Sequence, residues 1–234
     1  MSEASGLRLE PSLALKERRL AVLLGGRSEN DPALLAVIRD AQLLGSLELA
    51  GLALSWEAVR SAAPPPEVLA LRRAQARVDA RAPLDREALL AWHAEVTGTN
   101  AGFRRSERAR EGGPPPAPAE FVPSRLKLLE EWLAMESGQE LRPVQAAALA
   151  LTRILEVLPF DEANGRVSRL AASHLMVRGG MRSPILAKGD RPRLEAALQA
   201  AFQLQTEPLA RLLEEASGRA LDVMIRTLEA PEGA

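Results

Sequence analysis

The sequence predicts an all-α protein with one non-helical projection, and three observations lead there. Ala, Leu, Arg and Glu, all good helix formers, dominate the chain, while Tyr is absent and β-branched residues are thin. Apolar residues recur at helical spacing through most of its length, with capping residues ahead of the runs. Residues 98–122 alone break that pattern, with glycines and prolines around a polar stretch.

Taken in order, residues 1–31 form a lead-in in which LALKERRLAVLLGG predicts a short helix stopped by Gly25 and Gly26. Asn30-Asp31-Pro32 places an Asx cap before a first-turn proline. Leu34, Leu35, Ile38, Ala41 and Leu44 then follow at helical spacing. The stretch Gly45–Gly51 is expected to interrupt or end that helix. Ser55 caps a short helix, Pro64-Pro65-Pro66 breaks the chain, and a helix is expected over about 66–81. Asp85 caps another, ending near Thr97. For residues 98–122 two short strand arms and a proline-rich return are expected, with a disordered loop as the alternative. Ser124 is expected to cap the next helix. Residues 142–157, the most apolar run, are placed at the centre of the core. A short break at 159–165 leads into a helix to about 178, and two more helices cover about 190–204 and 206–229.

Composition excludes several functions. A formal net charge of −1 argues against a nucleic-acid partner. With no cysteine there are no disulfides, zinc-thiolate sites or thiol nucleophiles, and His93 and His174 are too few for a histidine-rich metal site. No apolar run reaches the ~18 residues of a membrane span, and MSEASGLRLEPS lacks a signal-peptide core. A cytoplasmic protein with no membrane partner is expected. Lysine occurs only at Lys16, Lys127 and Lys188; the other basic residues are arginine, a bias read as codon usage. Trp56, Trp92 and Trp132 are expected as core or groove anchors.

The segment that carries chemistry is Leu158-Pro159-Phe160-Asp161-Glu162-Ala163-Asn164-Gly165-Arg166-Val167-Ser168-Arg169. Two helices meet there through a tight turn, where Asn and Gly tolerate unusual backbone angles. The second helix begins with free N–H groups, which form an anion nest. Arg166 and Arg169, three apart, share a helix face and can grip successive phosphates as forked donors. Glu162 could hold a divalent cation between phosphate oxygens. The set describes a polyphosphate–Mg²⁺ site; the plain alternative is a helix cap with two surface arginines.

The order of these residues resembles the Fic (Fido) signature, His-x-Phe-x-Asp/Glu-Gly-Asn-Gly-Arg-x-x-Arg, through Phe160, Glu162, Asn164, Gly165, Arg166 and Arg169. Gly102-Phe103-Arg104 resembles the Gly-x-Phe/Tyr-Arg at the base of the family's β-hairpin flap. Arg110-Glu111-Gly112-Gly113 with Phe121-Val122-Pro123 resembles the segment leaving the flap. The resemblance implies a Fic-type helical bundle over 32–204, with an inhibitory-helix-like segment at 34–59, the flap at 98–122 and a helical extension over 205–234. It implies transfer of AMP from ATP to protein hydroxyls. Glu162 would hold Mg²⁺, Asn164, Gly165 and Arg166 would cradle the α- and β-phosphates beside Phe160, and Arg169 would reach the γ-phosphate. A protein target would pair with the flap, where Gly102, Phe103 and Arg104 lie; a homodimer is admitted.

Three departures follow from the same comparison. The family's leading His, which takes the proton from the attacking hydroxyl, is Leu158. The Gly before Asn is Ala163, which some branches tolerate. The inhibitory motif Ser/Thr-x-x-x-Glu-Gly/Asn resembles Ser46 to Gly51, but its Glu is Ala50, so base and brake are both absent. The expected protein therefore binds nucleotide and transfers AMP poorly. The alternatives are an active nucleotidyl- or phosphotransferase with a non-standard base, and a helical interaction module with a vestigial site. Asp161, His93 and His174 are the replacement bases to weigh, and both histidines read more simply as packed core residues.

Overall fold

A computed structural model describes residues 11–26, 28–100, 102–110 and 113–230. Within them the fold is all-α. Its helices are α1 (Pro11–Leu24), α2 (Pro32–Leu49), α3 (Trp56–Arg60), α4 (Pro66–Ala76), α5 (Arg86–Thr97), α6 (Val122–Ala134), α7 (Glu136–Gln139), α8 (Pro143–Val157), α9 (Asn164–Arg178), α10 (Arg191–Phe202) and α11 (Glu207–Glu229). Residues 1–10 of the lead-in and the last four of the C-terminal extension lie outside the described residues, as do Glu111 and Gly112 of the flap.

The expected caps set most of the boundaries. The Asp31 carboxylate accepts from the Ala33 amide at 2.8 Å with Pro32 in the first turn. Ser55 and Asp85 accept from Ala58 and Ala88, and Gly98 (φ 73°) closes α5 in the left-handed region. Ser124 is not a cap. A 3₁₀ turn at Ala119–Phe121 runs directly into α6, Pro123 sits in its first turn, and the Ser124 hydroxyl donates back to the Phe121 carbonyl. Helix α4 stops at Ala76 rather than near 81, because a turn follows in which Asp79 accepts from the Arg81 amide.

Gly45 does not interrupt α2, which runs on to Leu49. A Cβ at position 45 would stand 1.8 Å from the Leu186 carbonyl oxygen, so glycine here lets the backbone after α9 lie against the helix.

Helix α8 is apolar on two sides because it serves two cores. Ala150, Ile154 and Val157 pack with Leu43, Leu47, Leu71, Trp92, Leu126 and Phe160. Val144, Ala147, Ala148 and Leu151 face Met176, Leu194, Leu209 and Leu213. A third cluster joins α1 to α2 and α11 through Leu20, Leu24, Ile38, Leu221 and Met224. Helices α8 and α9 share the most extensive contact in the bundle. The turn between them therefore projects from the most closely packed helix pair.

Candidate functional site

Helix α8 must end at Val157, because Pro159 cannot donate and disfavours helical backbone in the residue before it. Leu158 accordingly turns left-handed (φ 48°, ψ 67°) while its amide still donates to the Ile154 carbonyl at 2.9 Å. A non-glycine residue in that region bears a cost of roughly 1 kcal/mol. The second left-handed residue is Ala163 (φ 62°), the N-cap of α9. Asn164 and Gly165 were the residues expected to take the unusual angles; both are helical, and the strain falls on the alanine standing where the family pattern has glycine.

Between these two points the loop is pinned. Phe160, 1% exposed, enters the core between His93 and Phe103. The His93 ring lies flat on it, with centroids 3.9 Å apart and planes within 7°. The Asn164 side chain closes the turn by accepting from the Phe160 amide at 3.0 Å and donating to its carbonyl at 2.8 Å. The amides of residues 161–166 find no acceptor among the described residues, so the loop and first turn of α9 leave a row of main-chain donors that could serve an anion.

Charged side chains surround that row. Arg166 is half-buried and makes no direct hydrogen bond or ion pair among the described residues. Burial lowers its pKa, with Glu162 and Glu67 opposing. Arg169 crosses to α2, where Nε donates to the Ser46 hydroxyl at 2.9 Å and Nη2 to the Ser46 carbonyl at 2.8 Å. Its pKa is pushed down to about 10 by burial, with Arg166 and Arg191 adding to the effect. Arg191 holds the next carbonyls of α2, those of Glu48 and Leu49. No carboxylate among the described residues pairs with Arg169, and exposed Ala50 and Gly51 (φ 95°) supply none. The helix C-terminus, with its partial negative charge, stands in for one.

Glu162 is exposed, and no metal-type cluster of three or more acidic or histidine side chains occurs among the described residues. A single carboxylate could still hold Mg²⁺ together with a bound phosphate, since that ion binds through one or two carboxylates plus phosphate oxygens. Asp161 is engaged: it accepts from the Ser106 hydroxyl at 3.2 Å and pairs with Arg108 at 3.6 Å.

The expected β-hairpin is corrected. No strand occurs among the described residues of 98–122. Pro114, Pro115, Pro116 and Pro118 have no N–H to give a ladder, and the neck of the loop is held by a side chain instead. Arg104, 3% exposed, donates from Nη1 to the Ser106 carbonyl at 2.8 Å and from Nη2 to that of Ala117. It also donates to the carbonyls of Leu158 at 2.6 Å and Val157 at 3.1 Å, and its own amide donates to that of Pro159 at 2.9 Å. Gly102 (φ 72°) and half-buried Phe103 likewise sit at the base of the loop, while residues 105–109 are exposed.

Both histidines are buried. His93 is 4% exposed with Nε2 lacking a partner. Its pKa is lowered by burial; Glu162 and Asp161 oppose this and Arg166 reinforces it. His174 lies 5.7 Å from Trp92, its pKa lowered by burial and by Arg178. Trp92 is a core residue; Trp56 and Trp132 are half-buried. Sequence reasoning missed the bonds of Arg104 and Arg191 and the His93–Phe160 stack. For Arg104 its place beside Gly102 and Phe103 was the available signal; for Arg191 there was none.

Residues 83–176 match the family model of the Fic/DOC family. The chain is 31% identical over 123 residues to "Protein adenylyltransferase Fic" of Drosophila willistoni, covering 53% of this chain and 24% of that protein. The chain thus spans about a quarter of the length of the curated relatives it matches. Among solved structures, Fic-1 from C. elegans superposes with TM-score 0.71 at 23% identity, over 93% of this chain and 72% of that one. A Fic domain containing signaling protein from Bacteroides thetaiotaomicron gives TM-score 0.78 at 16% identity, over 93% and 98%. These two likenesses are of fold. In the described residues no helix is long and apolar enough to cross a membrane.

Proposed function

We propose that this chain binds a nucleoside triphosphate with Mg²⁺ at the α8–α9 turn and transfers its nucleotidyl group to a protein hydroxyl weakly or not at all. What supports the reading is a run of unpaired amides and two arginines beside a leucine that stands where the family pattern has histidine. The amides of 161–166 and the unpaired Arg166 suit the α- and β-phosphates, Arg169 the γ-phosphate, and Glu162 the cation. For transfer, a target hydroxyl must lose its proton as its oxygen bonds to the α-phosphorus and pyrophosphate leaves. The Leu158 side chain cannot accept that proton. Asp161 is tied to Ser106 and Arg108, and the Nε2 of His93 is sealed in the core. The function we assign is accordingly one of binding, with residues 32–204 as the working unit, 205–234 as a helical extension and the cytoplasm as its setting. A target would meet the exposed residues 105–109 rather than Gly102, Phe103 or Arg104.

Calorimetric titration with ATP and Mg²⁺ tests this. Saturable binding, weakened roughly 10–100-fold by Arg166→Ala as charge-assisted bonds are lost, is the expected result. No heat of binding by the wild-type chain would leave the helical interaction module as the better reading.

A further inference from the structure

We propose that Arg104 is a positioning residue for the phosphate-binding turn, holding Leu158 and Pro159 in the shape that aims the 161–166 amides, and clamping the neck of the 106–117 loop with the same guanidinium. The inference rests on the nucleotide-binding reading for its ligand but not for its geometry.

The last carbonyls of a helix have no intrahelical donor. At the end of α8 two of them, Val157 and Leu158, receive theirs from Arg104 Nη2 and Nε. The main-chain amide of the same residue holds Pro159. Three consecutive carbonyls are thereby fixed by one residue at the place where the backbone enters its left-handed turn. Leu158 gains nothing intrinsic from φ 48°; donors on both sides of it compensate for the strain. The Asn164 side chain fixes the far side of Phe160. The loop is thus clamped at its entry by Arg104 and at its exit by Asn164.

The remaining donors reach the other way. Nη1 takes Ser106 and Nη2 also takes Ala117, the two ends of the loop that a hairpin ladder would otherwise have closed. No carboxylate among the described residues pairs with this buried cation; carbonyl dipoles satisfy it, in keeping with a cation at a helix C-terminus. Only a planar fork with five N–H groups can serve four carbonyls in divergent directions. A lysine ammonium carries the charge but offers three donors from a single nitrogen.

The test uses the full chain carrying Arg104→Lys or Arg104→Ala. Amide hydrogen exchange without nucleotide reads the positioning directly. Arg104→Lys should lose protection at the Leu158 and Phe160 amides by on the order of tenfold or more, as a hydrogen bond to a charged group is lost, while α2 and α11 stay as in the wild type. Its dissociation constant for ATP with Mg²⁺ should rise by a similar factor. Methylguanidinium should restore part of the affinity to Arg104→Ala; if that variant does not fold, Arg104→Lys decides alone. Wild-type exchange at Leu158 and Phe160 in Arg104→Lys, or loss of protection spread equally over the bundle, overturns the proposal. If the wild-type chain binds no nucleotide, the functional reading fails and the exchange arm still decides the role of Arg104.

Discussion

Arg169 is held at both its Nε and Nη2 by one residue, Ser46, through hydroxyl and carbonyl, at 2.9 and 2.8 Å. The contact joins α9, which carries the second arginine of the site, to the last turn of α2. It also shows why Glu48 is no partner. Residues four apart share a helix face, and residues two apart do not; Ala50, not Glu48, lies over Ser46.

A carboxylate at position 50 would therefore rise from the face Arg169 already touches. Ala50→Glu should pair with Arg169, neutralise the only cation assigned to the γ-phosphate, and weaken ATP binding roughly tenfold, the scale of one hydrogen bond to a charged group. Calorimetry on the variant checks this, and an unchanged dissociation constant would mean that the end of α2 stands too far from the phosphates to matter.

Ala163 offers a test of the turn itself. Its φ of 62° is natural to glycine and costly for alanine. Ala163→Gly should raise stability by about 0.5–1 kcal/mol, the left-handed penalty less the entropy glycine adds to the unfolded chain. Denaturant titration measures it, and a destabilised variant would show that the strain is illusory.

The helical architecture, its main caps and the arginine-bearing turn are all legible in the sequence, because each is written in local spacing: Asp31 before Pro32, Asp85 before Leu89, Arg166 three before Arg169. What escaped was long-range. The glycine at 45 reads locally as a break, and only the Leu186 carbonyl lying against it reveals a close approach. Residues 98–122 read as a hairpin because their ends must return together. They do, but by a buried guanidinium joining Ser106 to Ala117, for which no periodicity exists.

The histidines set an acid limit. Burial holds both His93 and His174 below the ordinary imidazole pKa. Around His93, Glu162 and Asp161 oppose the shift and Arg166 adds to it; around His174, Arg178 adds while the Ala82 backbone, Asp79 and Asp85 oppose. With folded values below unfolded ones, the unfolded chain binds the extra protons. Stability is whole above about pH 6.5 and falls as pH drops through the folded values. Urea midpoints at pH 7.5 and 5.5 should differ in that direction, and His174→Leu should flatten the difference. A midpoint independent of pH in the wild type would refute it.

On the proposed reading, Leu158 decides activity. Its left-handed backbone is one that histidine accepts more readily than most side chains, so Leu158→His should fold with the loop unchanged. Arg104 would still hold the carbonyls of Val157 and Leu158, and Asn164 would still hold Phe160. The new imidazole would project from the start of the loop whose amides face the phosphates, where a target hydroxyl must be deprotonated. Self-modification should then rise on the order of 10²–10⁴-fold, the usual contribution of a general base, with ATP affinity little changed. Incorporation of labelled AMP by the wild type, by Leu158→His and by Leu158→His with Arg166→Ala measures it; the double variant should fall back as the phosphate grip is lost. Strong labelling by the wild-type chain would contradict the binding role and require another proton acceptor within reach of the α-phosphate. A silent Leu158→His variant that still binds ATP would place the defect in the 105–109 surface that has to present the target.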